Sequence, residues 1–291
     1  MSTTTPIDVG LIGAGPWARA MHARMLAAGP ETRLTAVWAR RADAARAVAE
    51  PYGAHAVDSL EELFDQCQAV AFAVPPAVQA DLAVRAAKAG KALLLEKPLA
   101  PDLAAARAVA DAITDAGVVS QMVLTKRYHP ATRDFLHRAR ELHITGARSC
   151  YLHGAFLAGE MAAGWRLEQG ALLDLGPHLL DLLDASVGPI TGIQATGDPR
   201  RWIELTCEHE NGAVSQASLS GSVSLPRPRT RIELYGATGE LVYDTSGIDH
   251  EECWPVLRAE FATAVRSGRS GALDAIRGLY LQELMDAALR R

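Results

Sequence analysis

IDVGLIGAGPWA, residues 7–18, is the stretch that decides the fold. An apolar run from Ile7 to Ile12 passes directly into Gly13-Ala14-Gly15-Pro16-Trp17-Ala18, and a helical pattern follows from Pro16 to Ala28. This is G-x-G-x-x-G/A at a strand-to-helix turn, the context in which the motif holds a dinucleotide. Gly13 permits the tight turn, Gly15 lets the backbone come close to a pyrophosphate, and Ala18 is small enough for the helix to pack on the strand. The first amides of the helix then face the phosphates. The plainer alternative is a glycine turn that merely reverses the chain.

The rhythm that continues from this turn favours the first reading. RLTAVWA, QAVAFAV, ALLLE and VVSQMVL are short apolar runs, and helical patterns over 42–51, 78–88 and 103–116 separate them. Strands this apolar alternating with helices predict a parallel sheet covered on both faces, wound by right-handed crossovers into a doubly wound α/β domain over residues 1–123. After residue 124 the pattern changes to a helix over 130–142, an apolar helix around 172–185 and then a succession of strands: ITGIQATG, RWIELTCEHE, AVSQASLSGSV, TRIELYG and ELVYDT. Gly, Pro and Asn turns between them predict an α+β domain over 124–291 with a mainly antiparallel open sheet. Two helical patterns, 253–266 and 272–290, finish the chain and are candidates to pack back on the first domain.

At the end of the second strand, where an NAD site usually offers Asp or Glu to the ribose hydroxyls, the sequence reads Trp38-Ala39-Arg40-Arg41. Two guanidiniums beside an adenosine ribose suit a 2′-phosphate by bidentate contact, so NADP(H) is preferred and NAD(H) is possible. The alternative leaves both arginines as solvated residues at the start of the next helix.

Composition sets outer limits. Charged residues are 22% of the chain and the net charge is -5, with neither half polarised, so no basic face offers itself to nucleic acid. The four cysteines, Cys67, Cys150, Cys207 and Cys253, have neither zinc spacing nor the density of a disulfide framework, which fits a reducing compartment. The opening residues lack a basic and then apolar leader, and no apolar run is long enough to span a membrane, so a cytoplasmic location is expected.

Several further pieces occur in a fixed order: AVPP at 73–76, AGKALLLEKPLA at 89–100, KRYHPA at 126–131, GALLDLGPHLLD at 170–181 and YGATGEL at 235–241. Together with the glycine turn they resemble the Gfo/Idh/MocA oxidoreductase family, named for glucose-fructose oxidoreductase and inositol dehydrogenase. The resemblance implies catalytic roles for Lys97 of the E-K-P motif and for Asp174 and His178 of the D-x-G-x-H motif. It also implies cofactor contacts at Gly13, Gly15, Pro16, Trp17, Ala18, Arg40, Arg41, Val74, Pro75, Glu96 and Lys97. The chemistry of the residues agrees. Lys97 follows a parallel strand at its carboxyl end, where ligands of such sheets sit, and an ammonium there can polarise a substrate oxygen as hydride moves. Asp174 and His178 are four apart, so a helix puts them on one face, where a carboxylate can orient an imidazole able to exchange a proton. The same pair could be an ordinary helix pair or half of a metal site, but no further ligand stands at usable spacing, so no metal is expected. Lys97 could also simply close a strand at the surface.

Two departures from the family's pattern lie near the expected site. Gln79 stands where the family usually has a histidine, and the lead-in to the D-x-G-x-H helix is Gly170-Ala171 in place of a more glycine-rich run. Arg127, Tyr128, Trp165 and Arg166 are candidate substrate-pocket residues, with packing or ion pairing as their structural alternative. The expected partner is a small molecule, a sugar, cyclitol or similar polyol oxidised or reduced at a secondary alcohol or ketone. Two other functions share the fold: a redox-assisted lyase, hydrolase or epimerase that keeps its cofactor bound, and an NADP(H) sensor without catalysis. The resemblance further implies a homodimer or homotetramer built on the antiparallel sheet.

Overall fold

The computed structural model describes residues 5–159, 162, 164–245 and 248–290. These divide into two compact units, one of residues 1–124 with 254–280, the other of 125–253 with 281–291.

In the first unit the chain alternates strand and helix throughout. β1 (Ile7–Ile12) leads through the glycine turn into a π-helical turn over Ala18–His22 and α1 (Ala23–Ala27). Then come β2 (Thr32–Trp38), α2 (Ala42–Ala49), β3 (His55–Ala56), α3 (Leu60–Asp65), β4 (Ala69–Phe72), α4 (Pro76–Lys88), β5 (Ala92–Leu95), α5 (Leu103–Ala116) and β6 (Ser120–Met122). All six strands pair in parallel in the order β3-β2-β1-β4-β5-β6. Every residue of β4 and β5 is buried, as covering a parallel sheet on both faces demands. Helix ends follow local chemistry. Asp102 accepts the Ala105 N–H at the start of α5, and Gly117 (φ 62°) ends it in the left-handed conformation. The periodicity did not reveal β3 and α3, a two-residue edge strand and a helix of less than two turns, because both are shorter than a pattern needs to repeat.

The first unit is completed from the far end of the chain. α9 (Trp254–Ser267) supplies Arg258, which is buried and donates to the Glu31 carboxylate at 3.1 Å and to the Met25 carbonyl at 3.2 Å. Gln121 of β6 donates to the Leu257 carbonyl at 3.0 Å, and the Met122 N–H donates to the Leu273 carbonyl at 2.7 Å. α10 (Ala275–Leu289) begins in this unit, and its part from Leu281 onward belongs to the other.

The second unit opens with α6 (Thr125–Tyr128) and α7 (Pro130–Ala139), and its sheet begins with β7 (Ile144–Leu152). α8 (Trp165–Val187) follows, then β8 (Ile190–Asp198), β9 (Trp202–His209), β10 (Val214–Ser220), β11 (Arg229–Gly236) and β12 (Gly239–Asp244). The strand order is β12-β11-β7-β10-β9-β8, antiparallel except where β7 runs parallel to β10. β7 was absent from the expected strands, although it lies in the middle of the sheet. Its sequence, ITGARSCYL, carries neither strict alternation nor an unbroken apolar run. One face of the sheet packs on α8, whose leucines 172, 173, 175, 179, 180, 182 and 183 are all buried.

Candidate active site

The glycine turn has the shape its residues suggested. Gly13 (φ 122°) donates its N–H to the Trp38 carbonyl at 2.9 Å, and a Cβ there would stand 2.3 Å from the Ala73 carbonyl oxygen. Only glycine fits. Gly15 differs, because a Cβ added to it would meet nothing within 4 Å. No protein atom keeps that position bare. It borders a cleft of about 490 Å³, which is also lined by Gly13, Trp38, Arg40, Arg41, Val74 and Pro75. Among the described residues no aspartate or glutamate lines it. A bare glycine beside two guanidiniums fits a dinucleotide whose phosphates need close backbone approach and positive charge. Ala18 is buried beneath the helix, and Pro16 is exposed.

Trp17 and Glu96 do something the motif alone does not reveal. The Trp17 indole N–H donates to Glu96 Oε1 at 2.7 Å, and the fully buried His22 Nε2 lies 2.7 Å from the same oxygen. A carboxylate only accepts, so the His22 proton sits on Nε2. The second oxygen, Oε2, accepts the Lys97 N–H at 3.2 Å. One carboxylate therefore joins the dinucleotide turn to the turn that carries Lys97. From α4, the wholly buried Gln79 grips that turn on its other side, with bonds to Glu96, Pro98 and Leu99. A neutral carboxamide has both donors and an acceptor to offer a peptide turn. Sequence reasoning marked Gln79 only as a departure and missed His22. The signal for both was polarity at core positions of a helix.

In the second unit, Gly170 breaks α8 near its start. Its φ of 78° and ψ of -169° are non-helical, and a Cβ there would lie 2.2 Å from the Pro199 carbonyl oxygen. Beyond this kink α8 runs helical through Asp174, Gly176, Pro177 and His178. Asp174 and His178 are 5% and 7% exposed on a helix otherwise filled with leucine. Gly176 faces Met285, whose Sδ would be 3.3 Å from an added Cβ. Arg166, on the short segment before the kink, places Nε 3.5 Å from Asp174 Oδ1 and its guanidinium 4.6 Å over the Trp165 ring.

The remaining expected pocket residues divide. Arg127 donates through one guanidinium nitrogen to both oxygens of the buried Asp181 at 2.9 Å, an internal ion pair. Tyr128 is fully buried in the second unit. One side chain that the sequence did not single out does meet the Asp174 and His178 helix, and a second meets that side chain in turn. Tyr151, on β7, has its ring centroid 6.2 Å from that of His178, and the Lys126 ammonium stands 4.6 Å over the Tyr151 ring. Missing β7 as a strand hid Tyr151, since only the strand's alternation turns it toward α8.

Residues 7–124 match the model of an oxidoreductase family with an NAD-binding Rossmann fold, and residues 143–242 match that of the Gfo/Idh/MocA C-terminal domain. The chain is 26% identical over 265 residues to a dTDP-3,4-didehydro-2,6-dideoxy-alpha-D-glucose 3-reductase of Streptomyces violaceoruber, covering 89% of this chain and 72% of the relative. It is 33% identical over 126 residues to an inositol 2-dehydrogenase of Rhizobium meliloti strain 1021, 43% of this chain and 38% of that one. A solved structure of levoglucosan dehydrogenase in complex with NADH superposes with a TM-score of 0.88 at 20% identity, over 98% of this chain and 96% of the other, which shows a common fold.

Proposed function

The chain belongs to the Gfo/Idh/MocA oxidoreductase family, and from that premise we propose that it moves hydride between NADP(H), in preference to NAD(H), and a secondary alcohol or ketone of a sugar, cyclitol or similar small polyol. The observation that carries this reading is Gly15, left bare beside Arg40 and Arg41 in a cleft that no carboxylate lines among the described residues. The relatives' names supply the substrate class, since they act on a deoxysugar nucleotide, an inositol and levoglucosan. The nicotinamide, when bound, supplies the site that takes or gives the hydride. The chain's residues do the rest. His178 takes the hydroxyl proton when the alcohol is oxidised and returns it when the ketone is reduced. Lys97, on the turn clamped by Glu96 and Gln79, stabilises negative charge on the same oxygen. Asp174 supports the imidazolium by its charge, and Arg166 steadies Asp174 from the other side of the kink.

The test is a panel of levoglucosan, myo-inositol and methyl D-glucosides with NADP⁺ and NAD⁺, read by nicotinamide absorbance, on the wild type, Lys97→Ala and His178→Ala. Turnover of a polyol that both variants lose supports the assignment; unchanged activity in Lys97→Ala overturns it. Product formed without net absorbance change favours the redox-assisted alternative.

The sheet's outward face is proposed to pair with a second copy of the chain. The strand registers put Trp202, Val214, Tyr235 and Val242 on that one face, and all four are exposed. Sedimentation as a monomer overturns this part.

A further inference from the structure

We infer that Tyr151 is a substrate-positioning residue, its phenol O–H donating a hydrogen bond to a substrate hydroxyl adjacent to the carbon that His178 serves. The inference rests on the assignment of His178 made above and extends it to a residue outside the D-x-G-x-H motif.

Position comes first. The β7 register pairs Tyr151 with Leu219 on one side and Thr230 on the other, both buried, so its side chain lies on the face that packs against α8. There polar rings and a cation surround it. The His178 ring is 6.2 Å away at 57°, the His153 ring is 5.6 Å away edge-on, and the buried Lys126 sets its ammonium 4.6 Å over the ring face. A tyrosine kept only for packing is normally surrounded by hydrocarbon.

The hydroxyl is the second observation. All these neighbours address the ring, and among the described residues the Tyr151 hydroxyl makes no hydrogen bond. Tyr243, the other tyrosine on this face of the sheet, shows the ordinary solution, with its hydroxyl bonded to Thr132 Oγ1 at 2.5 Å. Tyr151 is only half-buried and its hydroxyl is not sealed from solvent, so a substrate can reach it and replace water as its partner. Burial, and after it the negative charge of Asp174, push the Tyr151 phenol well above its ordinary value. It therefore stays protonated through neutral pH and is available as a donor. Lys126 over the ring face draws electron density from the ring and strengthens that donor.

The chemistry recognised is a neutral hydroxyl, one of several on a polyol, next to the carbon that is oxidised. The test measures KM and kcat for levoglucosan, myo-inositol and methyl D-glucosides, each with its monodeoxy analogues, on the wild type, Tyr151→Phe and His178→Ala. Substrate and NADPH dissociation constants are measured by titration calorimetry alongside. Tyr151→Phe keeps the ring and its contacts, so an unchanged melting temperature is expected. With it should come an increase in KM and substrate dissociation constant of about 5- to 10-fold, the worth of one neutral hydrogen bond, with kcat and NADPH affinity held. One deoxy analogue should lose the same factor on the wild type and nothing further on Tyr151→Phe. Unchanged KM in Tyr151→Phe, while His178→Ala abolishes kcat, overturns this inference alone. Activity retained by His178→Ala overturns the assignment beneath it. Failure of the wild type to bind or turn over any polyol overturns the substrate class on which both depend.

Discussion

Gln79 and Glu96 hold each other as two peptide groups do in a sheet: the Gln79 Nε2–H donates to the Glu96 carbonyl at 2.8 Å, and Gln79 Oε1 accepts the Glu96 N–H at 2.9 Å. The same nitrogen reaches the carbonyls of Pro98 at 3.2 Å and Leu99 at 3.0 Å, so the turn that bears Lys97 is held from both sides of the lysine. Gln79→Leu leaves buried N–H and C=O groups without partners, a cost of about 1–3 kcal/mol for each. The melting temperature should drop by several degrees, and kcat/KM should fall about a hundredfold as the lysine shifts. Calorimetry and steady-state kinetics on one preparation check both.

The two glycines of the dinucleotide turn should respond differently to one methyl group. Gly13→Ala drives a Cβ onto the Ala73 carbonyl at a φ of 122° and should prevent stable folding. Gly15→Ala meets no protein atom within 4 Å, so its melting temperature should match the wild type. Its cofactor dissociation constant should nonetheless rise about tenfold or more, because the methyl stands where the pyrophosphate approaches. Wild-type affinity in Gly15→Ala would mean that the cofactor lies elsewhere.

Arg40 and Arg41 should set the choice of cofactor. Replacing Arg40 by alanine is expected to weaken NADP⁺ by about tenfold to a hundredfold, the range for one charge-assisted contact, and to leave NAD⁺ within about twofold. Fluorescence titration of each cofactor measures the difference. Equal losses for both would assign the arginine to a general electrostatic role.

Two histidines in the second unit should make stability fall on acidification. His209 bonds Gly188 and Ser215, and burial lowers its affinity for a proton. Burial, then the positive charges of Lys126 and His129, lower that of His250. A folded-state value below the unfolded value of 6.5 means the unfolded chain takes up the proton first as pH falls. Stability is therefore full above 6.5 and declines from there until the folded-state values are passed. Melting temperatures between pH 8 and 5 should show this slope, and His209→Asn should lessen it.

The parallel half of the architecture was open to reading in the sequence because its signals are local: apolar runs of strand length, helix patterns between them, and a glycine turn in the right place. Gly13, Gly15, Arg40, Arg41, Val74 and Pro75, named from short motifs, line one cleft. What stayed hidden depends on pairs distant in the chain. Gln79 and His22 act on Glu96 from 17 and 74 residues away, and no spacing rule connects such partners. β7 is legible only once β10 and β11 flank it, since Thr145, Arg148 and Ser149 interrupt its apolar residues without alternating, and Tyr151 was lost with it. The partner of Arg127 was equally out of view, since Asp181 stands 54 residues downstream.

Arg258, buried against Met25 and Glu31, and Leu273, accepting from Met122, show that the nucleotide half is built from two stretches of chain with the other half between them. On the ribosome its six strands emerge first, but α9 follows only after residues 125–253 have been made. The nascent half must wait with an apolar flank uncovered while the other half is synthesised. A fragment ending at residue 124 should therefore need chaperone protection or aggregate, and adding residues 254–280 in trans should rescue it.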